Sequence, residues 1–303
     1  MIAHLVYLYL LSPLHTGGSS QEGNLVGIAR ESHTNLPYIP SSSIRGRLRS
    51  SVVSNIDKNN EDALIEAHIK QVQLFGPDLN DIQDPEFIEY YQLETNRKLT
   101  QLEQGSIWVG DGSILWIPVP SLSHGVIWVS SPLLLQRWAR ISSENPAINI
   151  PEYSSNLANN NPLYLKDAIL KGNELKSWPE WKEFVPQSLH TSSIQRVLVL
   201  PDQHCQTLIQ MSLWRQVKIK LNQFKTVDGG FRYEEAIPPD TLMYFPWGVT
   251  SQAYGDREKC LSDFQSLLGK IPMLQIGGQE SLGRGFVEQW MPDNDLQSNK
   301  KEN

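Results

Sequence analysis

The chain has 303 residues, of which 40% are hydrophobic and 19% charged, and its formal net charge is −7 at pH 7. This composition is that of an ordinary globular protein with one large domain or two small ones. The acidic balance argues against indiscriminate DNA binding, so any nucleic-acid surface must be local. No apolar run reaches the roughly 18 residues that a membrane span requires.

The cysteine content indicates a reduced, cytoplasmic protein. The two cysteines, Cys205 and Cys260, form neither a disulfide framework nor a metal-ligand spacing. No paired histidine motif is present either, so we expect no built-in metal cage.

The first predicted element is a strand. Residues 2–11 form a continuous apolar run, which predicts a strand buried on both faces. The run has no Lys or Arg before it and no small-residue cleavage site, so we do not interpret it as a signal peptide.

Residues 15–49 favour an anionic ligand. They contain a loop, Gly17-Gly18-Ser19-Ser20, and a serine cluster able to cap a helix, and residues 32–56 contain no Asp or Glu. Three arginines follow at intervals of two residues, so they cannot all lie on one face of a helix. Arg45 and Arg49 are one helical turn apart and point to the same side. This pattern is typical of a nucleic-acid surface. The residues assigned to it are His15, Gly17, Gly18, Ser19, Ser41, Ser42, Ser43, Arg45 and Arg49.

The middle of the chain alternates between periodic and irregular segments. Residues 61–75 predict an amphipathic helix that Gly76-Pro77 ends, and residues 78–105 are polar and loop-like. The remaining elements expected here are strands at 107–112, 114–119 and 126–129 and a helix at 133–140. Residues 142–193 show little periodicity, which predicts an irregular insertion or lid.

The C-terminal third predicts mostly strands. These expected strands are 196–200, 217–221 with its lysines outward, a hairpin at 225–233 turning at Asp228-Gly229, 241–245 and 273–276, with a helix at 257–268 that Gly269 stops. Strands and helices mix without strict alternation, so the predicted class is α+β.

Two further stretches could contact nucleic acid. The hairpin interleaves Lys218, Lys220 and Lys225 with Phe231 and Tyr233, a pattern that can track a single strand, although a solvated strand face would show it too. The second stretch is a glycine-rich loop near the C-terminus, whose assigned residues are Gly277, Gly278 and Arg284. It lacks the Lys and Ser or Thr of a P-loop. Two interpretations of the loop remain: its backbone amides contact phosphates, or it is a tight hairpin turn.

Candidate acid–base groups are sparse. His15 could act on an RNA 2′-hydroxyl or contact a phosphate, although a structural role is also open. Glu234 and Glu235 could serve in acid–base or metal work. Because adjacent residues on a strand point to opposite faces, both cannot easily serve one site.

Four segments carry a resemblance to a known family. They are LHTGG followed by HTNLPYIPSSSIRGRLR, then IWVGDGSILWIPVPSLSHGVIWVSSPLLLQRWAR, FKTVDGGFRYEEAIPPDTLMYF and LQIGGQESLGRGF. In this order they resemble the RAMP-type CRISPR proteins, specifically the repeated backbone subunit of type III-B (Cmr) effector complexes. The resemblance implies one domain, 1–290, with a ferredoxin-like, RRM-like palm, the insertion at 142–193 and a β-hairpin thumb at 219–240. We expect the tail, 291–303, to be disordered.

The resemblance also implies partners. Several copies would stack in a filament along a CRISPR RNA, together with other Cmr subunits, and display the guide for pairing with target RNA. The thumb would push one base aside in each block of nucleotides. No membrane is involved.

Cleavage is the point at which this chain departs from the family pattern. Family members are usually metal-dependent endoribonucleases that need a loop aspartate, and that position falls here on Leu25 or Val26. Neither side chain can bind metal or take a proton. The weak catalytic candidates are His15, Glu22, Asn24, Glu31 and Glu234.

Three functions therefore remain. The chain is a scaffold with little or no nuclease activity, or an endoribonuclease in which Glu22, Asn24 or Glu31 replaces the aspartate, or a generic RRM-like RNA-binding protein. We expect no cofactor, and Mg²⁺ or Mn²⁺ only if cleavage is retained.

Overall fold

The computed structural model describes residues 3–18, 21–22, 25–54, 56–57, 59–142, 149–159, 161–251 and 256–292. The helices are α1 (Ser41–Ser54), α2 (Glu61–Phe75), α3 (Pro85–Thr95), α4 (Pro132–Ser142), α5 (Asp202–Ser212) and α6 (Arg257–Lys270). The strands are β1 (His4–Leu10), β2 (Gln21–Glu22), β3 (Leu25–Val26), β4 (Tyr38–Ile39), β5 (Ile107–Val109), β6 (Gly112–Ser121), β7 (Gly125–Ser130), β8 (Ser154–Ser155), β9 (Leu163–Tyr164), β10 (Ile169–Leu170), β11 (Lys176–Ser177), β12 (Val197–Val199), β13 (Trp214–Leu221), β14 (Val227–Ala236), β15 (Leu242–Val249), β16 (Met273–Gln275) and β17 (Phe286–Trp290).

One large mixed sheet forms the centre of the molecule. Its strand order is β11-β8-β12-β7-β6-β15-β1-β17-β16, with β4 on β6 and β5 on β15. Strand β1 lies between β15 and β17 and pairs antiparallel with both. Residues 5–10 of β1 are all buried, which confirms the prediction of a strand covered on both faces.

Helices and loops cover both faces of this sheet. Alternate side chains of β1 point to opposite faces. Val6 and Leu8 lie in one core cluster with α1, α2, α5 and α6, whereas Leu5 and Tyr7 lie in a second cluster with α4 and residues 178–185. The α+β prediction is confirmed.

One part of the predicted insertion, residues 178–185, packs against the second face. Trp178, Trp181 and Phe184 are buried there, and Trp116 Nε1 on β6 donates to the Phe184 carbonyl at 2.8 Å. Burial of large aromatic side chains is a strong hydrophobic contribution, so this irregular segment forms a layer over the sheet.

Three helices differ from the prediction. Residues 78–105 were expected to be a loop but contain α3, which Asp84 caps by accepting from the Glu86 and Phe87 amides, with Pro85 at the first position. Helix α5 was not predicted. Helix α2 has the predicted bounds, whereas Gly269 lies inside α6 and does not end it.

A second sheet, β13-β14-β3-β2, stands apart from the first. The predicted turn at Asp228-Gly229 is wrong, because both residues lie in β14, opposite the register shift between Ile219 and Leu221 of β13. The chain reverses at residues 222–226, where the Asn222 side chain accepts from the Phe224 and Thr226 amides. The sequence Asp-Gly-Gly thus makes a bulge, with Gly229 at a φ of +84°.

None of the helices in the described ranges combines the length and the apolar character needed to cross a bilayer.

Candidate nucleic-acid interface

Three segments that are far apart in the chain meet in one groove of about 370 Å³. One is the first glycine loop, one is the first half of α1, and one is the C-terminal glycine loop. The residues that line this groove are Thr16, Gly17, Ser42, Ser43, Gly46, Arg47, Ser50, Gln275, Gly277, Gly278 and Glu280. The structure therefore brings together most of the loop and serine residues that the sequence assigned to an anionic ligand.

Backbone contact joins the two glycine loops. The Gly278 amide donates to the His15 carbonyl at 2.8 Å. Gly277 has a φ of +87°, and a Cβ built there would lie 2.4 Å from the His15 carbonyl oxygen. Only glycine fits this close approach. The loop therefore has the positive φ value expected of a tight turn, and it also lines the groove.

The serines form the first turn of α1 and do not precede it. Helix α1 begins at Ser41, whose amide donates to Asp111 Oδ1 at 2.6 Å. One of the free amides at this helix end therefore already has a carboxylate partner. Ser42 and Ser43 remain on the groove side.

The arginines of α1 divide between two roles. Arg45 and Arg49 point together, as predicted, but toward the end of α2, where Arg45 donates to the Phe75 carbonyl and Arg49 donates to the Gly76 carbonyl at 2.9 Å. Arg49 also pairs with buried Asp81 at 3.2 Å. These contacts contradict a groove-facing position for either residue. Arg47, which we had not assigned, lines the groove.

The β13–β14 hairpin has one apolar and one charged face. Val217 pairs with Tyr233 and Ile219 with Phe231, and all four side chains are exposed. The prediction that the lysines of this strand face solvent is therefore incomplete, because the apolar face of the hairpin is also exposed to solvent. Strand β3 extends this face, since Leu25 is in register with Tyr233.

The lysines of the hairpin have acidic partners or lie at its tip. Lys218 contacts Glu234 at 2.8 Å, and Lys220 lies 3.8 Å from Asp228. Lys225 is exposed in the turn, with a φ of +59°. Lys220 and Lys225 are the more accessible of the three.

Two consecutive buried carboxylates lie at the base of the hairpin and point to opposite faces, as predicted. Glu234 contacts Lys218, Arg232 at 2.9 Å and Arg284 at 3.2 Å. Burial by itself raises the pKa of Glu234, but Lys218, Arg232 and Arg284 outweigh burial and hold that pKa below its usual value.

Glu235 has a separate set of partners. It pairs with Arg30 at 2.7 Å and with Arg215 at 2.9 Å. A second cavity, of about 600 Å³, adjoins this pair and reaches the other side of the first glycine loop.

Arg284 is an interior residue. Only 4% of it is exposed, which contradicts the prediction that it contacts RNA directly. Its side chain stacks on Trp214, 4.5 Å from the ring centre, and donates to Gln216 Oε1 at 3.0 Å.

The described catalytic candidates are held in structural contacts. His15 is buried and its Nδ1 donates to the Glu235 carbonyl at 3.0 Å, because a carbonyl oxygen can only accept. Glu31 pairs with Arg137 at 2.8 Å, and Glu234 is buried among cations. Ser19 and Asn24 lie outside the described residues, as does the side chain of Glu22.

The position of the family aspartate lies in β3. Leu25 and Val26 pair with Tyr233 and Glu234, and their side chains offer no oxygen ligand. Within the part of the chain that the structure describes, no group of three His, Cys, Asp or Glu side chains could hold a metal ion. These residues do not fit a divalent metal at this position.

Comparison with known proteins identifies the family. The model of the RAMP superfamily matches residues 7–288. The chain is 31% identical, over 309 residues and 95% of each protein, to the CRISPR system Cmr endoribonuclease Cmr4 of Pyrococcus furiosus.

Solved structures agree with this assignment. The crystal structure of oligomeric Cmr4 from Pyrococcus furiosus has a TM-score of 0.63 at 27% identity, covering 95% of this chain and 98% of that one. A chain of the type III-B Cmr-beta complex bound to cognate target RNA shares the fold, with a TM-score of 0.68 at 19% identity over 97% and 99% of the two chains. The chain belongs to the RAMP superfamily and, within it, to the Cmr4 family.

Proposed function

We propose that this chain is the repeated CRISPR-RNA-binding backbone subunit of a type III-B (Cmr) effector complex. The observation that carries the proposal is the groove, in which two glycine loops and the serine- and arginine-bearing face of α1 converge. The Cmr4 relative belongs by name to a CRISPR Cmr system, and an oligomeric form of it has been crystallised. Several copies would stack along the guide and display it to target RNA, together with other Cmr subunits.

The groove chemistry suits a guide of any sequence. Glycine backbone, hydroxyls and the Arg47 guanidinium can contact phosphates, and such contacts position a strand without reading its bases. A backbone subunit must accept each guide that the cell makes, so phosphate contact is the required kind of recognition.

The fold supports a division into palm and thumb. We assign the ferredoxin-like palm to the main sheet with its helices and the thumb to the β13–β14 hairpin, within one RAMP domain over 1–290. The apolar face of the hairpin can stack against a base and displace it from a guide–target duplex. A cytoplasmic location follows from the proposed partners.

Target cleavage is the second candidate function. The printed name of the relative, an endoribonuclease, favours it. Leu25 and Val26 count against it, because neither can ligate metal or accept a proton where the family pattern has an aspartate. We therefore propose that this copy displays RNA without cutting it at that position. Mg²⁺ or Mn²⁺ is needed only if cutting occurs.

The test is an RNA protection and cleavage assay on the assembled complex. Labelled complementary RNA with Mg²⁺ or Mn²⁺ should be protected at regular intervals and remain intact. Cleavage products of the target RNA at regular spacing would contradict the non-cleaving proposal. If those products persist after Glu22→Ala and Glu31→Ala, replacement acids at these two positions are excluded as well.

Guide specificity separates the proposal from a generic RNA-binding protein. The complete complex should bind a CRISPR-repeat-tagged RNA far better than random RNA of the same length. Equal binding of the two RNAs would favour the generic, RRM-like function.

A further inference from the structure

The base of the β13–β14 hairpin is tied to both loops that flank the groove. The ties are made by Glu234 and Glu235, which are adjacent in β14 and buried on opposite faces. Each carboxylate binds a cation from a different part of the chain. This arrangement is not needed to close the hairpin, whose strands already pair from Trp214 to Leu221.

The tie on the Glu234 side leads to the C-terminal glycine loop. Arg284 ends that loop and contacts Glu234 at 3.2 Å and Gln216 at 3.0 Å, one residue on each strand of the hairpin. The same guanidinium donates to Gln279, which follows groove residues Gly277 and Gly278. Arg284 thus spans from the groove loop to the hairpin base.

The tie on the Glu235 side leads to the N-terminal segment. Arg30, which follows β3, contacts Glu235 at 2.7 Å and donates to Gln210 on α5. His15, beside the first glycine loop, donates to the Glu235 carbonyl at 3.0 Å. The second face of the hairpin base is therefore bound to the other loop that lines the groove.

We propose that Arg284 and Arg30 are positioning residues that clamp the hairpin, so that its apolar face keeps a set distance from the groove. The other cations on these carboxylates, Lys218, Arg232 and Arg215, belong to the hairpin itself, so Arg284 and Arg30 are the ion-pair partners that connect it to the rest of the chain. Separating either of these two buried contacts costs free energy, so each tie resists displacement of the hairpin. Arg284 adds stacking on Trp214, and its planar fork reaches Glu234, Gln216 and Gln279 at once, which a lysine cannot reproduce.

The clamp has a consequence that rests on the proposed function. If the groove holds a guide phosphate and the hairpin stacks on a base, the clamp fixes how many nucleotides lie between these two contacts. The clamp itself is a property of the free chain, so it can be tested without RNA.

The experiment measures the distance from the hairpin tip to the palm. Spin labels are placed at Gln223→Cys in the turn and at Asp62→Cys on α2, both exposed positions, while the native cysteines are buried. Pulsed electron resonance then reports the distance distribution. We expect one narrow distribution for the parent chain and a distribution about twofold wider after Arg284→Gln, because a hinge freed of its tie samples more positions.

The matched control is Arg232→Gln. Arg232 pairs with the same carboxylate, but its side chain is 59% exposed and it belongs to the hairpin itself. Its loss removes a cation from Glu234 without cutting the tie to the groove loop, so the distribution should stay narrow. A distribution that is unchanged by Arg284→Gln, or widened equally by both variants, overturns the proposal.

A second variant guards against misfolding. Glu234→Gln keeps the volume of the side chain and weakens the same tie, so it should widen the distribution if Arg284→Gln does not fold. A narrow distribution there contradicts the clamp. A separate RNA-binding measurement distinguishes the two proposals. If the complex containing the parent chain does not bind guide RNA, the proposed function is refuted. The distance measurement still shows whether Arg284 clamps the hairpin.

Discussion

Helix geometry explains why Arg47, and not its neighbours, lines the groove. Residues two apart on a helix point to different sides, whereas residues three or four apart share a face. Arg47 therefore lies with Ser43 and Ser50, both groove residues, while Arg45 and Arg49 reach α2. The spacing was visible in the sequence, but which side faced the groove was not.

Arg47→Ala should weaken guide binding without loss of stability. If Arg47 meets one phosphate, its removal should reduce the slope of log affinity against log salt by about 0.7. Titrations at several salt concentrations measure this slope, with Arg140→Ala, an exposed arginine on α4, as control. An unchanged slope would remove Arg47 from the interface.

Arg49→Ala should show the opposite pattern. It removes the guanidinium that donates to the Gly76 carbonyl and leaves buried Asp81 with His68 as its remaining ion-pair partner, which should lower the free energy of unfolding by about 1–3 kcal/mol. Urea denaturation measures the loss. The salt slope of RNA binding should not change; a reduced slope would return Arg49 to the RNA surface.

The lowered pKa of Glu234 predicts a pH-dependent contribution to stability. Its unfolded value is near 4.5 and its folded pKa lies lower, so the stabilisation is present above pH 4.5 and is lost as pH falls through the folded pKa. Glu234→Gln should therefore be less stable than the parent at pH 7, and the deficit should shrink below pH 4.5. Urea denaturation across this range measures it. A deficit that is constant with pH would assign the loss to packing.

At the scale of elements, the β13–β14 hairpin combines two surfaces in one ribbon. Because side chains alternate along a strand, the basic and apolar residues separate onto opposite faces. Leu25 adds to the apolar face through β3. A hairpin with several neighbouring apolar side chains exposed on one face is typical of a binding element.

Tyr233→Ala should weaken RNA binding by roughly 1–3 kcal/mol if its ring stacks on a base. Tyr233 is 41% exposed, so folding should be little affected. Tyr90→Ala is the matched control, because Tyr90 is 48% exposed on α3, away from the groove and the hairpin. Equal effects of both substitutions on affinity would argue against stacking.

Element prediction succeeded where the pattern was periodic. The apolar run of β1 and the amphipathic pattern of α2 gave correct types and near-correct bounds. Helix α3 was missed because its charged residues hid the buried pair Phe87 and Tyr91, although Asp84-Pro85 is a start signal. The Asp-Gly turn failed because cross-strand pairing placed the reversal earlier, at residues 222–226.

At the scale of the whole molecule, the proposed non-cleaving role rests on Leu25 and Val26, the two strand positions that lie beside the hairpin. Val26 is in register with Glu234, where Lys218 and Arg232 can offset a new negative charge. Val26→Asp should therefore permit metal-dependent cleavage of target RNA in the assembled complex. Gel analysis with Mg²⁺ or Mn²⁺ measures this, and Val26→Asn, equal in shape but neutral, is the control.

The outcomes of that substitution are distinct. Regular products from Val26→Asp alone would show that the residue at this position decides whether target RNA is cleaved. Products from Val26→Asn or from the parent chain would contradict the prediction, as would the absence of products from Val26→Asp.

Local pattern was enough to establish the α+β class, the glycine loops, the acid-free stretch and the apolar residues at positions 25 and 26. These features depend on residue type and short spacing. The burial of Arg284, the groove position of Arg47 and the open apolar face of the hairpin required the three-dimensional arrangement. Arg284 pairs with Glu234 fifty positions away, and no local spacing reports such a contact. Whether a cation is solvated or buried depends on what packs against it, and distant segments supply that packing.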